Sequence, residues 1–214
     1  MHWRPEMTAS PSHRWIRTAC LAVALTACGS STTEPVPGEQ RPEAELTILR
    51  LAANAPPLVS PQVSFWAKRG QNARGELFFQ KPDGSRGDRY IRLDLSDRSL
   101  LAYPDGRLFA DGDSVLITIH VTDPQRILVE FLPSGLSFSP DDPAELEMRY
   151  DHVNGDLDDD GDHDGEDQQL EQIISIWRQE ALTAPFIRLG TIRIQDLKEL
   201  DARLLGFSRL AIAY

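Results

Sequence analysis

Short runs that alternate apolar and polar residues recur at a spacing of roughly ten residues between residues 45 and 214, with turn-forming residues between them. The run "SVLITIHV" sends Val115, Ile117, Ile119 and Val121 to one face of a strand and Thr118 and His120 to the other, together with Leu116. β-Branched and aromatic residues are frequent in these runs, which favours strand over helix. The pattern predicts an all-β fold, a single antiparallel β-sandwich over residues 45–214.

Two segments have apolar spacing that also fits a helical turn. They are "EDQQLEQIISIWRQE" at 166–180 and "IQDLKELDARLL" at 194–205. All the alternating runs together, including "QIISIWRQ", predict about ten or eleven strands. Pro104, Asp105 and Gly106 predict a tight turn between two of them, because proline presets φ and glycine tolerates positive φ.

The N-terminal region has the pattern of a secretory signal. Arg14 and Arg17 precede the apolar run "ACLAVALTAC", which is too short to cross a bilayer as a helix. The run ends in four residues that resemble the lipobox of bacterial lipoproteins: Leu25, Thr26, Ala27 and Cys28. The resemblance implies that the signal peptide 1–27 is removed and that Cys28 is diacylated through its sulfur. The alternative is an ordinary signal peptide beside a chance cysteine.

The lipobox resemblance fixes the use of both cysteines in the chain, because Cys20 is lost with the signal peptide and Cys28 carries the lipid. We therefore expect no disulfide, and core burial or a metal must stabilise the exported domain. Residues 28–44 begin with the cysteine that is predicted to be lipidated. The rest of this segment is rich in Ser, Thr, Pro, Gly and Glu, which predicts a flexible, disordered linker. Gly29 stands where aspartate would retain a lipoprotein in the inner membrane, so we expect the outer membrane.

The chain has a net charge of −11. This charge argues against a nucleic-acid partner and against electrostatic docking on anionic lipid. We therefore expect the membrane to be reached through the lipid anchor, and a further partner to be a protein of the envelope.

The segments "PSGLSFSPDDPAELEMRY", "ISIWRQE" and "GFSRLAIAY" resemble the ZU5 family of β-sandwich domains, with an arrangement of immunoglobulin-like type. Phe207, Ser208, Ala211 and Ile212 fit the pattern of the family's last strand, whereas Leu210 stands where the family has tyrosine. The resemblance covers residues 88–214. It implies a sandwich that binds partners and transfers no catalytic residue.

An acidic insert at 151–171 places nine carboxylates within residues 156–171, without a lysine or arginine among them. Calcium loops supply oxygen ligands from alternate positions, with glycine at position 6 and an acidic residue at position 12. One register begins at Asp160 and ends at Glu171, and an overlapping register begins at Asp156 and ends at Asp167. The predicted Ca²⁺ ligands are Asp156, Asp158, Asp160, Asp162, Asp164 and Glu171.

Two other interpretations of the insert remain open. It can be a solvated, disordered hairpin tip whose charge discourages aggregation. His152 and His163 can bind Zn²⁺ beside aspartates, although no second pair of His or Cys residues completes a tetrahedral site. The sequence does not choose among calcium, another metal and no metal.

No catalytic motif is evident in the sequence, and His120 fits a surface position better than a general base. We therefore predict a protein that is not an enzyme: a lipid-anchored cell-envelope protein with a structural or partner-binding β-sandwich. The alternative is a metal-dependent hydrolase that uses the acidic insert. A third possibility, an accessory subunit of secretion or assembly, predicts an exposed apolar sheet edge or patch.

Overall fold

The structure, a computed structural model, describes residues 36–214. The predicted signal peptide and the lipobox, Leu25–Cys28, lie outside the described residues, and so does the predicted linker before residue 36. Within residues 36–214, no helix is both long enough and apolar enough to cross a membrane.

Residues 36–214 form fourteen strands, one α-helix and two 3₁₀ turns. The strands in chain order are β1 (Gln40–Arg41), β2 (Gln62–Lys68), β3 (Ala73–Gln80), β4 (Arg86–Leu95), β5 (Leu100–Ala102), β6 (Ser114–Asp123), β7 (Leu128–Leu132), β8 (Ser137–Phe138), β9 (Ala144–Arg149), β10 (Ser175–Gln179), β11 (Phe186–Arg188), β12 (Thr191–Ile194), β13 (Glu199–Leu204) and β14 (Arg209–Ala213). Helix α1 spans Gly165–Ile173, and the 3₁₀ turns span Glu43–Glu45 and Gln195–Leu197.

The strands form two large antiparallel sheets that pack as a sandwich. The seven-stranded sheet has the order β1-β11-β10-β14-β7-β6-β2, and the five-stranded sheet has the order β12-β13-β9-β4-β3. Strands β5 and β8 make a small third sheet. The predicted all-β antiparallel sandwich is therefore confirmed.

The core lies between the two large sheets and follows the predicted alternation. On β6, Ile117 and Ile119 are fully buried, and on β4 so are Ile91 and Leu93. Tyr90 differs from the alternation, which assigns it to the polar face with Arg92 and Asp94. It is buried, because a register shift between Leu77 and Phe78 makes it the extra residue of a β-bulge.

The two segments with helical spacing fold differently. The first contains α1, after which residues 175–179 continue as a strand. The second forms only the 3₁₀ turn Gln195–Leu197, because Lys198 adopts a left-handed φ of 44° and Glu199–Leu204 then pairs along β9. Long-range strand pairing therefore ends the helix of the first segment at Ile173 and overrides the helical spacing of most of the second.

The predicted boundary between linker and domain is too late in the chain. Gln40–Arg41 pairs with β11, and the Glu39 carboxylate lies 3.1 Å from the guanidinium of buried Arg188. Residues 40–44 therefore belong to the sandwich rather than to the predicted linker 28–44. Composition does not reveal this boundary, because backbone pairing and ion pairs, rather than a hydrophobic run, dock the segment.

The outer face of the seven-stranded sheet has a covered half and an open half. Residues 47–49 pair antiparallel with the end of β14, and Leu46 and Ile48 pack with Trp177 and Leu128. On β2 and β6, at the other end of the sheet, Trp66 is 67% exposed. The N-terminal segment therefore covers only one half of this face.

Candidate metal site in the acidic loop

The acidic loop connects the two large sheets. It leaves the five-stranded sheet after β9 and reaches α1, which leads into β10 of the seven-stranded sheet. Strands β9 and β10 do not pair with each other, so the interpretation as a hairpin tip is wrong. The segment is a crossover between sheets: one end is attached to the five-stranded sheet and the other to the seven-stranded sheet.

The first half of the loop folds around the side chain of Asp156. One of its carboxylate oxygens accepts the amide hydrogen of Asp160 at 3.1 Å, and the other accepts that of Gly161 at 3.0 Å. Gly161 has a φ of 102°, a left-handed conformation that glycine adopts without strain. The Asp160 carboxylate in turn accepts the Asp162 amide hydrogen at 3.2 Å. These bonds curl the loop so that alternate carboxylates lie near one another.

The second half of the loop begins α1 and carries the only buried carboxylate of the described loop. Asp164 caps the helix by accepting the Glu166 amide hydrogen at 2.7 Å. Asp167 is 1% exposed and accepts the amide hydrogens of Leu157 and Asp164. These two hydrogen bonds lower the pKa of the Asp167 carboxyl, so it is a permanent anion near neutral pH.

Two groups of carboxylates converge on Asp167. In each group the candidate ligand oxygens lie within 4.8 Å of one another. The groups are Asp156, Asp158 and Asp167, and Asp162, Asp164 and Asp167. The negative charge of Asp160 raises the pKa of the Asp162 carboxyl, because two like charges close together repel when no cation lies between them. The arrangement offers hard oxygen ligands to a cation such as Ca²⁺.

The structure distinguishes the two registers found in the sequence. Gly161, the sixth residue of the register that begins at Asp156, has the left-handed φ, whereas Gly165 is the first residue of α1. Asp167, the twelfth residue of that register, lies among the carboxylates. The loop therefore folds in the register Asp156–Asp167.

Four of the six predicted ligands come together in these groups, namely Asp156, Asp158, Asp162 and Asp164. Asp160 belongs to neither group and serves the loop through its backbone bonds. The Glu171 carboxylate points elsewhere, towards the Tyr150 hydroxyl at 3.3 Å and Lys198 at 4.0 Å. Asp167, which the predicted ligand set omits, lies among the carboxylates where Glu171 was expected. The sequence does not reveal this role, because the burial and the hydrogen bonds of Asp167 exist only in the folded loop.

Contacts with distant parts of the chain anchor the loop. The Tyr214 hydroxyl donates to the Leu157 carbonyl, and the Asn154 amide donates to the Arg50 carbonyl at 2.9 Å. One ring nitrogen of His163 lies 2.9 Å from the Gly155 carbonyl oxygen and donates to it. His163 therefore closes the loop on itself.

A second polar cluster lies beside the loop. The Nε2 atom of His152 is 3.8 Å from the Asp88 carboxylate and 3.7 Å from that of Asp151, which also pairs with Arg149 at 3.2 Å. The sequence pattern indicated His152 but not Asp88, because Asp88 lies far away in the sequence, on β4. The cluster has one imidazole, and Arg149 already pairs with one of its two carboxylates, so it does not supply the four ligands of a tetrahedral structural zinc site.

The aromatic residues divide between core and surface. Trp177, Phe79 and Phe186 are buried, as core packing predicts. Trp66 is exposed on the outer face of β2. Of these four aromatic residues, Trp66 is the one whose ring is exposed to a partner.

Comparison of the chain with protein-family models, with curated proteins and with solved structures found no match. The resemblance to ZU5 domains therefore stays a prediction from the sequence. A function for the acidic loop must be inferred from its own geometry and charge.

Proposed function

We propose that the protein is a lipid-anchored component of the cell envelope, attached to the outer membrane through Cys28, whose sandwich binds a protein partner or has a structural role. We further propose that the loop Asp156–Asp167 binds Ca²⁺ and stabilises this sandwich. The lipobox residues and the resemblance to ZU5 domains support the first part. The geometry of the acidic loop supports the second part.

The observation on which the calcium proposal rests is the convergence of two carboxylate groups on buried Asp167. Ca²⁺ binds six to eight oxygens at 2.3–2.6 Å, from carboxylates, carbonyls and water, in flexible geometry. The loop offers two groups of three carboxylates that share Asp167, and backbone bonds already hold three parts of it in place: Asp156, Gly161 and Asp167. A cation would also remove the repulsion that raises the pKa of Asp162.

Calcium in this loop would stabilise the whole sandwich rather than the loop alone, because the loop joins the two large sheets. Extracellular calcium modules bind with a Kd on the order of 10⁻⁴–10⁻³ M, and we expect this range here. An ion at a hundredfold excess over Kd would add about 2.7 kcal/mol to the free energy of unfolding.

The test is a calorimetric titration of Ca²⁺ into the full chain purified in detergent, with Mg²⁺ as the control ion. Thermal melts with and without EDTA accompany it and verify that each variant folds. We expect saturable Ca²⁺ binding and a raised melting temperature. Asp167→Asn should lose both, because it removes the charge shared by the two groups. Glu171→Gln should keep both, because Glu171 lies outside them.

Two results would contradict the calcium proposal. Loss of binding in Glu171→Gln but not in Asp167→Asn would mean that the ion uses the register Asp160–Glu171. The absence of heat and of any shift in melting temperature at several millimolar Ca²⁺, above the range expected for such modules, would make the loop a solvated acidic crossover.

A further inference from the structure

We propose that the edge strand β2 pairs antiparallel with β2 of a second copy of the chain, so that the seven-stranded sheets of two copies form one continuous sheet. Strand β2 is the last strand of that sheet and pairs only with β6. This proposal concerns a surface distinct from the calcium loop and is independent of the proposed function.

The register of β2 shows which of its backbone groups are free. The Val121 amide donates to the Pro61 carbonyl at 2.9 Å, and the Arg69 amide donates to the Asp113 carbonyl at 2.8 Å. Because hydrogen-bonded pairs in an antiparallel ladder recur at every second residue, odd-numbered residues of β2 bond to β6. The N–H and C=O groups of Ser64 and Trp66 therefore point away from β6. They have no partner within residues 36–214.

The edge also lacks the charges that normally prevent pairing. Residues 51–67 contain no Asp, Glu, Lys, Arg or His, in a chain of which 26% is charged. Soluble proteins usually place charges, prolines or bulges on exposed edges to block association with other strands. The pairing of β2 with β6 runs without a register shift from Gln62 to Lys68. This edge is therefore regular and uncharged until Lys68.

A two-fold axis through Phe65 satisfies the free groups of Ser64 and Trp66. It places Ser64 opposite Trp66 of the second copy, and Trp66 opposite Ser64 of the second copy. Each pair exchanges two hydrogen bonds, so both chains use all the free groups of these two residues. Beyond them, the backbone of Gln62 is already bonded to the Ser60 hydroxyl, which ends the ladder. The edge is thus complementary to itself, as an isologous interface requires.

The outer face beside this edge is apolar. Trp66 lies directly across from Leu116, and Leu132 lies across from Thr118 on the next strand. These apolar side chains are 67%, 45% and 36% exposed, respectively. Pairing would set Trp66 beside Ser64 and Thr118 of the second copy, whose hydroxyls lie 2.7 Å apart in each chain. Burial of the indole adds an apolar contribution to the backbone bonds.

The test is sedimentation equilibrium of the full chain in density-matched detergent over a wide range of protein concentration. We expect the mass to rise reversibly from one chain to two. Ser64→Pro should abolish the two-chain species, because proline removes an outward N–H and leaves the bonds to β6 intact. Trp66→Lys should abolish it by placing a charge on the edge. Ser64→Ala keeps the N–H group and should still pair.

The proposal is overturned if the unmodified chain has the mass of one copy at every concentration. It is also overturned if the two-chain species persists in Ser64→Pro and Trp66→Lys, which would place the interface elsewhere. Circular dichroism verifies the fold of each variant, and Trp66→Lys decides the matter if Ser64→Pro misfolds.

Discussion

Two glycines in the acidic loop have different roles, although each occupies the glycine position of one calcium register. Gly161 has a φ of 102°, which side chains rarely adopt, and its amide donates to Asp156. Gly165 lies in α1, where an added Cβ would meet no atom within 4 Å. The backbone at these two residues therefore identifies the register more clearly than the pattern of carboxylates.

We predict opposite effects for the two alanine substitutions. Gly161→Ala should lower the free energy of unfolding by about 1–2 kcal/mol, the cost of a left-handed residue with a Cβ, and weaken Ca²⁺ binding. Gly165→Ala should raise it by about 0.5–1 kcal/mol, because alanine favours the helix. Urea unfolding in EDTA measures both changes. Equal destabilisation by the two substitutions would contradict the register Asp156–Asp167.

At the scale of elements, the exposure of a side chain on the outer face of the seven-stranded sheet depends on whether another segment covers it. Trp177 of β10 is fully buried beneath the segment that carries Leu46 and Ile48, and its indole N–H donates to the Ala213 carbonyl at 3.1 Å. Trp66 of β2 faces the same side of the sheet without a covering segment. The segment that follows β1 therefore acts as a third layer over half of the sandwich, whereas β1 itself is the edge strand of the sheet.

We predict that Trp177→Ala lowers the free energy of unfolding by about 3–5 kcal/mol, since it leaves a cavity beneath this layer. Trp66→Ala should change it by less than about 0.5 kcal/mol at concentrations where the chain is a single copy. Urea unfolding followed by circular dichroism measures both. Similar effects of the two substitutions would show that residues 46–48 do not seal the face.

At the scale of the whole molecule, the acidic loop and the predicted anchor lie in different parts of the chain. The loop joins the two sheets, and the segment that leads from the predicted linker enters the sandwich at Gln40. The predicted anchor, Cys28, therefore precedes the first strand by only a short segment. Two or more acyl chains give stable attachment, whereas a single chain does not.

We predict that the chain, produced in a bacterium that processes lipoproteins, takes up labelled palmitate and fractionates with membranes. Cys28→Ser should lose both properties, because the serine offers no thiol for acylation. The matched control, Cys20→Ser, should keep both, because Cys20 lies in the signal peptide that is predicted to be removed. Labelling that persists in Cys28→Ser would contradict the lipobox interpretation.

The sequence alone was sufficient for the features that depend on local periodicity. Alternation in residues 115–121 predicted the buried face of β6, and Pro104–Gly106 predicted a turn in which Gly106 has a φ of 84°. These predictions hold because side-chain direction in a strand and φ in a tight turn are set by neighbouring residues. The acidic loop was likewise evident as a candidate for calcium from its alternate carboxylates.

Contacts between distant residues decided the rest. A period of two in the carboxylates fits both registers. That Asp167 rather than Glu171 lies among the carboxylates depends on its bond to the Leu157 amide, and the Tyr214 hydroxyl, distant in sequence, holds Leu157 in place. The meeting of Asp88 with His152 depends in the same way on how β4 packs beside the loop. Which tryptophan is covered, and which strand lies at the edge, follow from strand order. Strand order is set by non-local pairing, and a short apolar run does not encode its partner.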